Sequence, residues 1–192
     1  MRRRRGSRHA VTLALCLPWA PSALADQPLL RPSRDVDVTY RAAAPQAGRE
    51  IGQRVRWLAA SQTVRIDPPS AGLHVIIDYA ARRMSVVRDA TRSVVEMAAP
   101  DNLDGTIGVQ AANGFVRGGT ATVAGQTCTE WRTLDLEAHP AVVCITSDGV
   151  LLRAGTADQV RVSAVSVLYA PQDPAAFRVP ADYARHAPSA AR

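Results

Sequence analysis

Two thiols and three imidazoles are the side chains through which this chain could do chemistry beyond its first 25 residues. Cys128 and Cys144 lack Cys-x-x-Cys spacing, and no helix start stands beside either to lower a thiol pKa, which argues against a redox pair. Two thiols without paired histidines are too few for a zinc centre. In an oxidising compartment such a pair is most economically a structural disulfide. Closing a loop of this length contributes roughly 3 kcal/mol on the chain-entropy picture. His74 opens a strand-like segment and reads as a surface or partly satisfied residue. His139 precedes Pro140 in a loop, and His186 lies in the terminal segment. Asp101-Asn102-Leu103-Asp104-Gly105 superficially resembles a calcium loop, but Leu103 and Gly105 stand where acids are required, so it reads as a solvated turn. No nucleophile elbow, phosphate loop or zinc helix is present in the sequence. The expectation is therefore no catalytic residue, no metal site, no cofactor and no enzyme. An enzymatic reading would need a pocket joining His74 to a carboxylate such as Asp78.

The compartment is written in the first residues. Arg2 to Arg5 and Arg8 form a basic n-region, Val11 to Leu17 a short apolar core, and Ser22-Ala23-Leu24-Ala25 an Ala-x-Ala cleavage signature. Residues 1–25 read as a secretory signal peptide cut after Ala25, which gives a periplasmic protein; the arginine run leaves general and twin-arginine export both open. Acylation at Cys16 is disfavoured, because Leu15 is too large for the usual small residue before a lipobox cysteine. The whole chain carries 23 basic and 17 acidic residues, a net of +6. Five of those arginines leave with residues 1–25, so 18 basic residues face 17 acidic ones, a net of +1. Nucleic-acid binding needs a clustered basic face, so that class is excluded. No further segment reaches the length of a membrane span, so the remaining chain is expected not to span a membrane.

The rest of the sequence punctuates itself into short strands. Residues 26–33 read as an extended lead-in. From Asp35 the chain alternates, with Val36, Val38 and Tyr40 on one face and Asp35, Asp37 and Thr39 on the other. Residues 41–50 read as a turn or loop. Gln53 to Ala59 and Gln62 to Asp67 follow as strands, and Pro68, Pro69 and Gly72 break the pattern. Leu73 to Tyr79, Arg83 to Arg88 and Ser93 to Ala98 form a predicted β-meander whose first strand is apolar on both faces. Arg82, Arg83, Arg88 and Arg92 gather at its turns as a solvated rim or a basic mouth. Pro100 to Gly119 reads as a loop with a short helix over the sheet. Gly119 to Thr133 returns to strand, Ala141 to Ile145 and Val150 to Arg153 pair around Ser147-Asp148-Gly149, and Gln159 to Tyr169 is the longest strand. In that last strand Val165 and Val167 are assigned to one face with Tyr169, and Val160 and Val162 to the other. Residues 184–192 are expected to be disordered. The class is β-rich: mainly β, or α+β, with a long antiparallel sheet that has to curl or be covered.

Several of these stretches resemble a known group. Arg83-Met84-x-Val86-Val87, Val94-Val95-Glu96-Met97, Gly119-Thr120-x-Thr122-Val123-Ala124-Gly125-x-x-Cys128-Thr129, Leu151-Leu152-Arg153 and Phe177-x-Val179-Pro180-x-x-Tyr183 resemble an uncharacterised family of bacterial exported domains. That family is similar to the outer-membrane lipoprotein carrier (LolA-like) superfamily. The resemblance covers residues 34–183. It implies a curved antiparallel sheet forming an incomplete β-barrel, with a short helical or loop cover over its concave face. In the carriers that face shelters lipoprotein acyl chains.

The resulting expectation is a periplasmic, non-enzymatic binding protein for an apolar ligand, a lipid or lipoprotein acyl chain. Val75, Ile77, Met84, Val86, Val95, Met97, Val165 and Val167 are expected to line its groove, with Leu103, Ile107 and Phe115 as cover. The alternative is an envelope scaffold or sensor module that binds another protein through a sheet edge or the arginine rim.

Overall fold

The computed structural model describes residues 27–44, 49–99, 114–135 and 137–188. The signal segment with Cys16, the calcium-like turn, and Leu103 and Ile107 lie outside the described residues. Twelve strands form one sheet: β1 Val36–Ala44, β2 Arg49–Leu58, β3 Thr63–Asp67, β4 Leu73–Asp78, β5 Arg83–Arg88, β6 Ser93–Ala98, β7 Val116–Val123, β8 Gln126–Leu134, β9 Pro140–Ile145, β10 Leu151–Gly155, β11 Val160–Leu168 and β12 Ala184–His186. Their spatial order is β12-β6-β5-β4-β3-β2-β1-β11-β10-β9-β8-β7. All pairs are antiparallel except the β12–β6 pair, and β12 and β7 end the sheet without pairing to each other. This is the curved, open, incomplete barrel that the alternating segments require. The described helical pieces are 3-10 turns of three or four residues.

Register decides what each face carries. Because side chains alternate along a strand, paired residues point the same way and neighbouring rows point oppositely. One row runs Val167, Val38, Val55, Ile66, Val75, Val86, Val95 across seven strands. The next row on the same side runs Val36, Trp57, Val64, Ile77, Met84, Met97. Together they form the inner face. The outer face of β1–β3 carries charges instead. Arg56 stands directly opposite Arg65, and Asp67 accepts from both at 2.8 and 2.9 Å, which offsets their repulsion. Arg54 bonds Asp37 in the same belt.

The meander is joined by three connectors of identical length, residues 59–62, 79–82 and 89–92. Each ends in a left-handed residue that is not glycine: Gln62 at φ 51°, Arg82 at 51° and Arg92 at 47°. The β7–β8 hairpin turns through Ala124 and Gly125, both at positive φ. The sequence shows one strand over residues 119–133 because this turn is only two residues long and lacks the usual Asn-Gly.

Two further segments differ from expectation. Residues 41–44 and 49–50 extend β1 and β2 rather than forming a loop. Ala184–His186, expected to be part of a disordered end, pairs with Ser93–Val95 as β12. The preceding segment holds it there: Val179 and Tyr183 pack on Ile76, Val87 and Val94, and Tyr183 donates to Asp89 at 3.0 Å.

Cys128 and Cys144 form a disulfide with Cα atoms 5.4 Å apart. Reduction under native conditions should lower unfolding free energy by about 3 kcal/mol, read as a shift in urea midpoint; an unchanged midpoint would show that the bridge constrains nothing. Gln62→Gly should stabilise the fold by about 0.5–1 kcal/mol, since glycine relieves the left-handed cost that exceeds its own entropy penalty. A loss of thermal stability in that variant would contradict the strain argument.

Candidate functional site: the apolar rows of the inner face

The inner face is filled at one end and open at the other. At the filled end Val36, Val38, Trp57, Val64 and Ile77 are all buried. Tyr40 donates its hydroxyl to the Leu151 carbonyl at 2.6 Å, and burial raises its pKa far above the ordinary phenol range. Trp57 packs on Tyr79 with ring centroids 5.8 Å apart. The lead-in then closes this end: Arg31 stacks over Tyr79 at 4.6 Å, and Pro32 lines the remaining cavity. That cavity measures about 40 Å³. It has room for a few waters, whereas ligand pockets run from roughly 300 Å³ upward.

Asp148 ties the lead-in down. Its Oδ2 accepts from Arg34 Nε at 2.7 Å, and its Oδ1 from Tyr169 at 3.1 Å and from Thr146. Its carbonyl accepts the Ser33 amide at 2.9 Å. Arg34 also stacks 3.6 Å over the Tyr169 ring. Gly149 is required beside it: with φ at 92°, a Cβ there would stand 2.2 Å from the Arg31 carbonyl oxygen. Burial raises the Asp148 carboxyl pKa, but the hydrogen bonds from Thr146, Arg34 and Tyr169 outweigh it and hold the group below the usual carboxylate range.

The open end lies over β4–β6. Val75, Met84, Val86, Val95 and Met97 are half-buried there, while Ile77 is buried as the step between the two rows. Val167 joins the same row against Val38. Val165 does not. It is the extra residue of a β-bulge, since Thr39 pairs with Ser166 and Tyr40 with Ala164, and it stands 45% exposed. The bulge also overturns the facing assigned to this strand: Val162 and Ala164 before it and Val167 and Tyr169 after it all pack on the same core cluster. Phe115 packs elsewhere, edge-on to Trp131 at 6.3 Å with Val143, Ile145 and Leu151. Sequence reading missed Val38, Val55 and Ile66 as members of the row and missed Asp148 as its fastening. The first three were visible in the alternation around them; a three-partner carboxylate in a turn leaves no local signal.

Of the two placements expected for His74, surface or partly satisfied, the structure has the second: the residue is buried at 5% exposure on the outer face. Its Nδ1 lies 3.4 Å from Asp89 rather than near Asp78, and its Nε2 has no partner among the described residues. Burial lowers its pKa, with the Arg65 charge adding to the effect. No group of three His, Cys, Asp or Glu residues suited to a metal ion occurs among the described residues. Of the arginines, Arg82 and Arg83 sit at one end of β5 and Arg88 and Arg92 at the other, and Arg92 pairs with Asp182.

A curved, open antiparallel sheet with an apolar inner face and no described helix long and apolar enough to cross a membrane defines a half-barrel fold class. No family model matches the sequence, and no curated protein matches it either. Solved structures do match in fold. An uncharacterised conserved protein from Thermus thermophilus matches at 14% identity and TM-score 0.56, over 81% of this chain and 91% of that one. The MucA/MucB complex of Pseudomonas aeruginosa matches at 13% identity and TM-score 0.50, over 78% of this chain and 56% of that one. The chain therefore spans just over half of that matched chain. The structural neighbours also include a LolA superfamily protein from Nitrosomonas europaea, at 11% identity and TM-score 0.32, over 68% of this chain and 69% of that one.

Asp148→Asn should destabilise the fold at neutral pH by about 1 kcal/mol, the cost of weakening a half-buried charged hydrogen-bond centre. Because the folded carboxyl pKa is depressed, this contribution is present above the unfolded value of about 4 and is lost as pH falls through the folded pKa. Urea unfolding of both proteins should show the gap closing as pH falls below the ordinary carboxylate value of about 4 and through the depressed folded pKa of Asp148. A gap independent of pH would remove Asp148 as a charged fastening.

Proposed function

We propose that this chain is a periplasmic, non-enzymatic binding protein that holds an apolar chain, a lipid or lipoprotein acyl group, along the open end of its inner face. In this reading the signal peptide is cut after Ala25, Cys16 leaves with it, and residues 34–183 act as one half-barrel domain. A disulfide within the sheet suits an oxidising compartment. The observation that carries the reading is the end of the row: Val55, Ile66 and Val75 pack on the core cluster that contains Val38, whereas Val86 and Val95, also half-buried, pack on none of the described clusters. An apolar track that runs out of a core without a cover in the described residues is where an alkyl chain gains most, at about 0.8 kcal/mol per methylene buried. The small closed cavity makes this an open groove rather than an internal pocket. Leu103 and Ile107 remain proposed cover.

A second reading is a module that binds another protein. The MucA/MucB complex supports it as a protein of similar fold seen together with a partner, and so does the long exposed edge strand β7.

The test is binding of 1-N-phenylnaphthylamine, an apolar fluorophore, with native mass spectrometry of protein taken from its own periplasm. The wild type should bind the probe and carry a lipid-mass adduct. Val86→Glu, which places a charge in the middle of the row, should weaken probe binding about tenfold, equivalent to ~1.4 kcal/mol. Met97→Glu, nearer the sheet end, serves the same purpose if the first variant folds poorly. Protein that is consistently empty and ignores the probe, yet co-purifies with a stoichiometric protein, would replace the first reading by the second.

A further inference from the structure

The outer face carries a second cavity, unconnected with the apolar rows. The C-terminal segment leaves β11, turns through Pro174–Phe177, crosses the back of the meander as a strap and ends as β12 beside β6. Arg65 Nη1 donates to the Ala176 carbonyl at 2.8 Å, and Ala184 N donates to the Arg92 carbonyl at 2.9 Å. Between these fastenings the strap stands off the sheet and leaves an open cleft of about 340 Å³. Its floor is two registered rows, Thr63–Asp78–Arg83 and Ile76–Ser85–Glu96. Its walls are Phe177, Arg178 and Val179 on one side and Arg185 on the other.

The polar groups of this cavity are not all satisfied within the described residues. Glu96 is taken by Arg185, and Asp78 Oδ1 accepts the Ala81 amide at 2.8 Å. Arg83 stands opposite Asp78 in the ladder, yet no ion pair within 4.0 Å joins them. Arg83 and Arg178 are exposed residues whose guanidinium groups have no protein partner among the described residues, and the hydroxyl of Ser85, a residue 4% exposed, has none either. With Arg185 and Glu96 cancelling, two guanidinium groups face one carboxylate, leaving one uncompensated positive charge. The Ser85 hydroxyl is not among the buried polar atoms left without a partner, so it opens onto the cavity, where it can donate to a ligand group.

We infer that this cavity binds a small polar monoanion through its carboxylate, held by Arg83 and Arg178 with Ser85 donating to it. A single charge matches the single excess, and the guanidinium fork matches a carboxylate with two parallel hydrogen bonds. Thr63 and Asp78 supply a hydroxyl and an acceptor for hydroxyl or amide groups on the same ligand, and Ile76, Phe177 and Val179 supply apolar contact. The volume suits a molecule of sugar-acid or acyl-amino-acid size. Arg83 lies on the sheet and Arg178 on the strap, so the ligand bridges the two and clamps the strap.

The experiment is an NMR titration of the intact exported protein with glucuronate, using glucose as the neutral counterpart, sodium chloride at matched ionic strength and inorganic phosphate. Glucuronate should saturate amide shifts at Ser85 and Val179 and slow hydrogen exchange in Ala184–His186. Arg83→Gln and Arg178→Gln should each weaken it by about fivefold, roughly 1 kcal/mol, with the rest of the spectrum unchanged. Equal shifts from glucose or chloride, or variants that bind like the wild type, would overturn the site. Tighter binding of phosphate than of glucuronate would overturn the carboxylate assignment. Slowed exchange in β12 without loss in either variant would also count against it, because the bridge would then lie elsewhere. None of these outcomes depends on whether the inner face holds an alkyl chain.

Discussion

The structure depends on registry between β1 and β6. The paired positions of these strands form rows, and alternate rows differ: valines, isoleucine, tryptophan and methionines inside, and outside a charged belt over β1–β3 and the strap-covered patch of Ile76, Val87 and Val94 over β4–β6. A slip of one residue at any single pairing would carry Arg54 or Arg65 onto the apolar face and Val55 or Ile66 into the charged belt. Asp67 reinforces the correct pairing. It bonds Arg56 across the ladder and Arg65 on its own strand, which a shifted register would not allow. Burial raises the Asp67 carboxyl pKa, yet these two partners hold it below the ordinary range. The same registry builds the candidate groove and the floor of the strap cavity, one on each side of the same strands.

Registry also explains how much could be read in advance. Between Val36 and Ala98 the described ladders contain no shift between these strands. Alternation in the sequence therefore translates directly into faces, and Val75, Ile77, Met84, Val86, Val95 and Met97 fall on one side as their spacing requires. The second half of the sheet carries the irregularities, at Arg161, at Val165, at Leu152 and at Gly118–Gly119. Each extra residue reverses the parity of the rest of its strand. That is why Val165 stands outside the row while Val162 packs on the same core cluster as Val167. Long-range fastenings were illegible for a different reason: Asp148 meets Arg34, and Tyr183 meets Asp89, across more than 90 positions, and nothing local in the chain announces either.

The two ends of the inner face differ because different parts of the chain return to them. The lead-in is drawn back by Asp148 and seals one end with Arg31 and Pro32. No described segment does the same over Val86 and Val95. The outer face has its own returning segment, the strap, which covers Ile76, Val87 and Val94 with Val179 and Tyr183. The strap also explains the burial of His74: an imidazole that opens a strand would be wet on a bare sheet, but here it lies within the covered patch and titrates below its ordinary range.

An unclosed sheet keeps two unpaired borders, and each invites a second copy of the chain to continue the ladder. This chain treats them differently. On the β6 side it spends three of its own residues as a parallel β12, a pairing that occupies the border with the chain's own end. On the β7 side Gly118 and Gly119 stand together opposite Glu130, and the resulting kink interrupts the straight run of amides and carbonyls that a stacking neighbour would need. The two borders therefore differ in backbone: the β6 side ends in a three-residue parallel strand, and the β7 side keeps an exposed strand whose regular run of amides and carbonyls lies to either side of the glycine pair.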